Sequence, residues 1–253
     1  MESGGTSLRR RSVSNGTERM GIIDPPRERV AVIAGGTGLV GRFCLDVLLE
    51  SPRYELVYAV GRREPSRRHR RLTSIQTDFS NLAKLGLGHV DDVFCCLGTT
   101  IKRAGSRDAF RAVDYDLPVK LAQVSRDYGA DHFSLVSSLG ADPNARSFYL
   151  RVKGETERAI AAVGIRSLAF LRPSLLLGDR DERRLGESLG RIVATTIRPL
   201  LVGSLRRYRA VDARDVAMAM VLVAASTPSG THVIESETIG KIGHESSLAL
   251  DIF

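Results

Sequence analysis

The sequence predicts an α/β fold, a doubly wound parallel sheet with helices on both faces, as a single domain with a small C-terminal extension. Three observations predict it. Short apolar runs of four to six residues recur between Val30 and Leu171. Stretches with helical periodicity separate them, the pattern of parallel strands joined by crossover helices. The first apolar run also leads straight into a glycine-rich turn, Gly35-Gly36-Thr37-Gly38-Leu39-Val40-Gly41.

Taken in order, residues 1–29 are rich in Gly, Ser and Arg, contain Pro25-Pro26 and show no periodicity, so they read as a disordered leader. Arginines and serines with few acids also describe an organelle-targeting peptide, a reading that Glu2 and Glu18 weaken. The domain proper is expected over residues 30–235. Its strands are predicted at Val30–Ala34, Glu55–Val60, Ser74–Thr77, Asp92–Cys96, His132–Ser137 and Ser167–Leu171. Helices are predicted at Leu39–Leu49, in a polar stretch near Asn81–Leu85, at Arg107–Asp127 and at Phe148–Val163. After Pro173 the pattern loosens into Leu175–Leu177, a charged loop, an apolar run at Ile192–Val202 and a helix at Asp212–Ala225. His232–Ile234 would add a last edge strand, and residues 236–253 are expected to be a tail.

Composition narrows the function. With 253 residues and 43% hydrophobic content, the chain can build one good core but not two large domains. No apolar stretch approaches the ~20 residues that span a bilayer, and the start lacks a secretory apolar segment. Cys44, Cys95 and Cys96 fit neither a disulfide framework nor a metal site, so no metal is expected and the simplest compartment is a reducing cytoplasm. The net charge of +8 is concentrated: residues 62–71 hold six arginines against one acid. No aromatic residues interleave that run, so it offers no stacking platform and nucleic acid is not expected as a partner.

Strand, glycine turn and helix start together form a dinucleotide-binding fingerprint. The first glycines permit the tight turn, Gly38 admits backbone close to a pyrophosphate, and Gly41 lets the helix pack on the sheet. The helix start adds free N–H groups for phosphate. The second strand ends in Gly61-Arg62-Arg63, where this fold carries either an acid for the ribose hydroxyls of NAD or a cation for the 2′-phosphate of NADP. Two guanidinium groups favour NADP(H) over NAD(H). Asp78 either meets the adenine amino group or serves only as a turn acid. Cys96-Leu97-Gly98 closes the fourth strand at the carboxyl edge, with Gly98 admitting the cofactor.

The fifth strand runs into Ser137 and Ser138, of which one hydroxyl can donate to a substrate carbonyl as charge develops on it. Tyr149 and Lys153 stand four residues apart, on one face of the predicted helix. A phenol is a weak acid at neutral pH, and a neighbouring ammonium favours its phenolate, which suits it to pass a proton to or from an alcohol or carbonyl oxygen.

Six segments carry a family resemblance: AGGTGLVG at 34–41, GRR at 61–63, FCCLGTT at 94–100, SSLGAD at 137–142, YLRVKGETE at 149–157 and LRPSLLLGDRDERRLGE at 171–187. On these the chain resembles the short-chain dehydrogenase/reductase superfamily, most closely its atypical branch, the Tat-interacting oxidoreductase family. The resemblance implies a Rossmann-like fold, with the catalytic serine on Ser138, the proton-transferring tyrosine on Tyr149 and the lysine on Lys153. It places cofactor contacts on the glycine loop, Arg62, Arg63, Leu97, Gly98, Leu176 and Arg184. Ala34 departs from the Thr or Ser of many relatives, and Ser138 lies only eleven residues before Tyr149. The first expectation is therefore an NADPH-dependent oxidoreductase acting on a small carbonyl or alcohol through a Ser-Tyr-Lys site. The second is an NADP(H)-sensing regulatory or assembly protein that acts through a protein partner.

Overall fold

The computed structural model describes residues 29–177, 208–226 and 229–250, with the side chains of 244–250 excepted. Seven strands form one sheet: β1 (Arg29–Ala34), β2 (Tyr54–Gly61), β3 (Leu72–Gln76), β4 (Asp92–Cys95), β5 (His132–Val136), β6 (Ser167–Arg172) and β9 (Gly230–Glu235). Their order is β3-β2-β1-β4-β5-β6-β9, and every neighbouring pair is parallel. The chain reverses its direction of travel across the sheet between β1 and β4, so a crevice opens beyond the carboxyl ends of those two strands. Two further short strands, β7 (Leu176–Leu177) and β8 (Val211–Asp212), pair beside the main sheet.

The helices are α1 (Leu39–Glu50), α2 (Ile101–Ala104), α3 (Arg107–Arg111), α4 (Leu117–Asp127), α5 (Phe148–Ala161), α6 (Ala213–Ser226) and α7 (Ser236–Leu250). Alternation along β1 shows why the sheet needs both layers. Ala31 and Ile33 join an apolar cluster with Leu45, Leu48 and Val216 on one face. Val32 and Ala34 join a second cluster with Leu121, Phe133 and Ile160 on the other. A strand that is apolar on both faces is stable only when both are covered.

Four elements differ from the sequence reading. Arg29, placed in the leader, is the first residue of β1 and grips Asp92. The tail after Glu235 instead forms α7, whose Ile239 is fully buried and whose Gly243 leaves no room for a Cβ beside Asp215. The single helix expected over Arg107–Asp127 is interrupted by a π-helical turn at Ala112–Asp116. The polar stretch near Asn81–Leu85 is only a 3-10 turn, Leu82–Lys84. The apolar run at Ile192–Val202 lies outside the described residues.

Candidate functional site

The glycine loop joins β1 to α1 at the crevice. Gly35 has φ +86°, and a Cβ there would lie 2.7 Å from the Cys96 carbonyl oxygen, so the turn and its contact with the end of β4 both require glycine. At Gly41 a Cβ would fall 2.1 Å from the Gly35 carbonyl oxygen, and this absence is what seats the first turn of α1 on the loop. Gly38 is the N-cap, its own N–H donates to Gly35 O at 2.9 Å, and no side chain caps the helix. The N–H groups of Leu39, Val40 and Gly41 therefore face the crevice without an intrahelical acceptor. Gly36 is buried and Thr37 exposed.

Beyond β2, Arg62 and Arg63 are exposed, and the Arg62 carbonyl is held by the Gln76 side chain at 3.1 Å. The arginine run is not uniform. Arg71, at its end, donates to the carbonyls of Leu49, Ser51 and Tyr54 and so ties off the end of α1. Asp78 is exposed and accepts from the Ser80 N–H at 2.8 Å, and hydrogen bonds from the Ser80 hydroxyl and then this N–H hold its carboxyl below the ordinary value. Phe79 beside it adopts φ 66° with its ring buried, so Asp78 belongs to a tightly constrained turn. Leu97 is half-buried, Gly98 exposed, and Leu176 packs partly buried against the first apolar cluster. Arg184 lies outside the described residues.

The serine pair divides its work. Ser137 is buried and its hydroxyl donates to Glu157, which also receives Arg172 at 3.0 and 2.6 Å. Ser138 is half-buried, and its hydroxyl makes only a long 3.4 Å contact with the Leu139 carbonyl. Tyr149 and Lys153 lie on α5, as their spacing requires. Tyr149 rests against Phe110, with ring centroids 5.6 Å apart, and Phe110 also meets Phe148 at 5.9 Å. Gly154, where a Cβ would meet the Asp142–Pro143 backbone at 2.2 Å, lets α5 press against the loop after Ser138. That contact draws the serine and tyrosine segments together.

Lys153 is buried, and its ammonium lies 2.9 Å from Asp114 Oδ1 and donates to the Val136 carbonyl at 3.3 Å. Asp114 is fully enclosed, and its Oδ2 accepts from the Thr99 N–H at 2.9 Å. Burial works against the lysine charge, but the Asp114 charge and then that of Tyr149 outweigh it and hold Lys153 above its ordinary value. Sequence reasoning missed Asp114. The signal was present: Phe110, Asp114 and Leu121 share the buried stripe of the Arg107–Asp127 segment, where a charge needs a partner.

The thiols flank this arrangement, with Cys95 nearest to Lys153 and Asp114. Cys44 and Cys95 are buried, and Cys96 contacts Met220 at 3.8 Å. Burial pushes the Cys95 thiol up to about 12. Among the described residues no group of three or more His, Cys, Asp or Glu side chains could hold a metal ion, and no helix is long and apolar enough to cross a membrane.

Fold and site thus define a Rossmann-type protein with a glycine-rich loop at the switch point and a Ser, Tyr and Lys beside it. The chain belongs to the NAD dependent epimerase/dehydratase family, which it matches over residues 31–234. It is similar to the rat protein HTATIP2, at 34% identity over 221 residues, covering 85% of this chain and 89% of that protein. The Coccidioides immitis protein FMP52, mitochondrial, is 32% identical over 213 residues, covering 79% and 87%. Among solved structures it resembles MoeE5 in complex with UDP-glucuronic acid and NAD, with a TM-score of 0.62 at 20% identity over 86% of this chain and 82% of that one. The Bordetella bronchiseptica enzyme WbmH in complex with NAD+ also gives 0.62, at 16% identity over 88% and 82%. At those identities the likeness establishes the fold. The FMP52 relatives, named as mitochondrial in Saccharomyces cerevisiae as well, overturn the cytoplasmic expectation. That expectation rested on unpaired cysteines, and buried thiols remain reduced in any compartment that keeps thiols reduced.

Proposed function

We propose that this chain is an NADP(H)-dependent oxidoreductase that interconverts a small carbonyl compound and its alcohol, using Ser138, Tyr149 and Lys153. The observation that carries the reading is a charged lysine buried one helical turn from a tyrosine at the carboxyl edge of the sheet. Holding an ammonium in that position is costly, and such groups concentrate at functional sites.

The residues suit a nicotinamide dinucleotide. The uncapped start of α1 offers N–H groups to the pyrophosphate, and Arg62 and Arg63 offer charge to a 2′-phosphate. Gly98 faces the Lys153–Asp114 pair: a Cβ there would lie 3.4 Å from Asp114 Oδ1 and 3.9 Å from the ammonium, so its absence leaves space at that point. When bound, the nicotinamide supplies or accepts hydride at the substrate carbon. Ser138 donates a hydrogen bond to the substrate oxygen, and Tyr149 delivers the proton that this oxygen needs as the carbon gains hydride. Lys153 stabilises the phenolate left behind. Ser137, committed to Glu157, holds the strand end from which Ser138 projects.

The test is a panel of aldehydes, ketones and quinones assayed for NADPH oxidation by the full chain. Turnover of at least one class is expected, and Tyr149→Phe should lower it by about 10²-fold or more while NADPH still binds. If NADPH binds but nothing is reduced, the site serves to sense the nucleotide and the catalytic reading falls.

A further inference from the structure

Lys153 is held from two sides. An ammonium has three donors. One goes to the Val136 carbonyl at the end of β5, and one side of the group is taken by Asp114 at 2.9 Å. Asp114 is in turn fixed twice over. Its carbonyl accepts from the Thr156 hydroxyl at 2.8 Å, one turn beyond Lys153 on α5, and its Oδ2 accepts from the Thr99 N–H. Asp114 lies within the π-helical turn, and such turns recur at functional sites. Oδ1 meets the ammonium at hydrogen-bond distance, so it acts on Lys153 as a charge and as an acceptor.

We infer that Asp114 is a positioning residue for the reaction: its carboxylate keeps Lys153 charged and leaves one ammonium N–H for the cofactor and the phenol. This rests on the reading of Tyr149 and Lys153 as the proton-transfer pair. The physical need is plain. An ammonium enclosed in protein without a counter-charge tends to lose its proton. The titratable groups facing Lys153 are Asp114 from the π-helical turn, Tyr149 from its own helix and Cys95 from β4. The Cys95 thiol is pushed up by burial and stays neutral over the working range. Asp114 is the largest of the charges that offset burial, ahead of Tyr149, and it also accepts a hydrogen bond from the ammonium. Thr99 gives the pair a second consequence: the same carboxylate that holds the lysine also holds the loop after Gly98, so the proton site and the cofactor-side loop share one anchor.

The experiment compares the full chain with Asp114→Asn, which keeps an oxygen acceptor for Thr99 and removes the charge. With lysine side chains isotopically labelled, NMR follows the Lys153 signal, assigned by its loss in Lys153→Arg, in the protein without cofactor. The native chain should keep Lys153 charged beyond the ordinary lysine value of ~10.4. In Asp114→Asn the lysine should discharge below that value. NADPH affinity, measured by fluorescence, should then fall by up to about tenfold for each pH unit above the new titration point, and stay level over the same range in the native chain. Equal titration of Lys153 in both chains, with parallel affinity profiles, would overturn the inference. If the variant fails to fold, the native titration decides alone: discharge of Lys153 below the ordinary lysine value overturns it. None of these readouts needs a carbonyl substrate, so a failed substrate panel would sink the catalytic reading without touching this result.

Discussion

The two ends of the sheet both bury charge, and they do so differently. At the amino edge, the first residues of five strands interlock. Arg29 grips Asp92 at 2.9 and 2.7 Å, and the Tyr54 hydroxyl donates to the same carboxylate at 2.9 Å. His132, paired with Asp92 across the sheet, has ring nitrogens 2.9 Å from the Ser167 hydroxyl and 2.7 Å from that of Ser134. At the carboxyl edge, Lys153 and Asp114 are buried as deeply, but beside them lie the exposed Gly98, the half-buried Ser138 and Tyr149, and an uncapped helix start. One network spends its donors and acceptors on itself. The other leaves some of them facing a crevice. Burial and charge alone do not mark a site; a buried charge beside uncommitted groups does.

The largest expected effect lies at the closed end. Asp92→Ala strands the Arg29 guanidinium and the Tyr54 hydroxyl, and removing one partner of a buried pair costs about 3–5 kcal/mol. Denaturant unfolding should register that loss, while the NADPH affinity of the folded fraction stays at the native value. A cofactor affinity that falls in step with stability would mean that the two edges are not independent.

Acid should attack the same edge. Burial, against the opposing charge of Asp92 and with help from the Arg29 and Arg53 charges, lowers the His132 pKa to about 4. The folded value lies below the ordinary 6.5, so the unfolded chain takes up the proton first as pH falls. The stability this group allows is complete above pH ~6.5 and is lost through the window down to ~4, to a total of about 3 kcal/mol. Melting temperatures between pH 7 and 4.5 should fall less steeply for His132→Asn than for the native chain. Parallel slopes would remove His132 from the account.

The serine pair brings the comparison inside a single turn. Ser138→Ala should lower turnover by about 10²-fold with stability within ~0.5 kcal/mol of native, because among the described residues its hydroxyl has only the long contact with the Leu139 carbonyl. Ser137→Ala should do the reverse. It removes a buried donor to Glu157 at a cost of about 1–2 kcal/mol and spares most activity. An equal loss of rate in both variants would mean that the hydroxyls are interchangeable and that the Glu157 bond confers no division of labour.

The sheet was legible because its signals are local. Strand and helix periods read directly from apolar spacing, and six predicted strands fall within two residues of the observed ones. The glycine loop was legible for the same reason, since turn, close approach and helix packing act over seven consecutive residues. What escaped depends on contacts remote in sequence. Asp114 sits on a buried stripe that calls for a partner, but nothing local names Lys153, far along the chain, as that partner. The choice between Ser137 and Ser138 depends on Glu157, twenty residues further on. The helix over 236–250 escaped because its glycines and serines weaken the apolar pattern, and packing against α6 supplies what propensity does not.

The smallest expected effect concerns the arginine run, which contains both kinds of residue within ten positions. Arg71 is spent on three backbone carbonyls, whereas Arg62 and Arg63 are exposed at the carboxyl end of β2. Exposed charges act through solvent and are weakened by salt, so their contribution to phosphate binding is modest. Replacing both Arg62 and Arg63 with alanine should weaken NADPH binding by about tenfold, equivalent to ~1.4 kcal/mol, and leave NADH within about twofold. The proposed preference for NADPH should also shrink as ionic strength rises. Arg71→Ala should instead lower stability and leave the NADPH-to-NADH ratio unchanged, since its guanidinium is already occupied at the end of α1. Loss of both cofactors to the same degree in the double variant would show that these arginines shape the loop and do not read the 2′-phosphate. The cationic end of β2 would then be structural in the same sense as the amino edge.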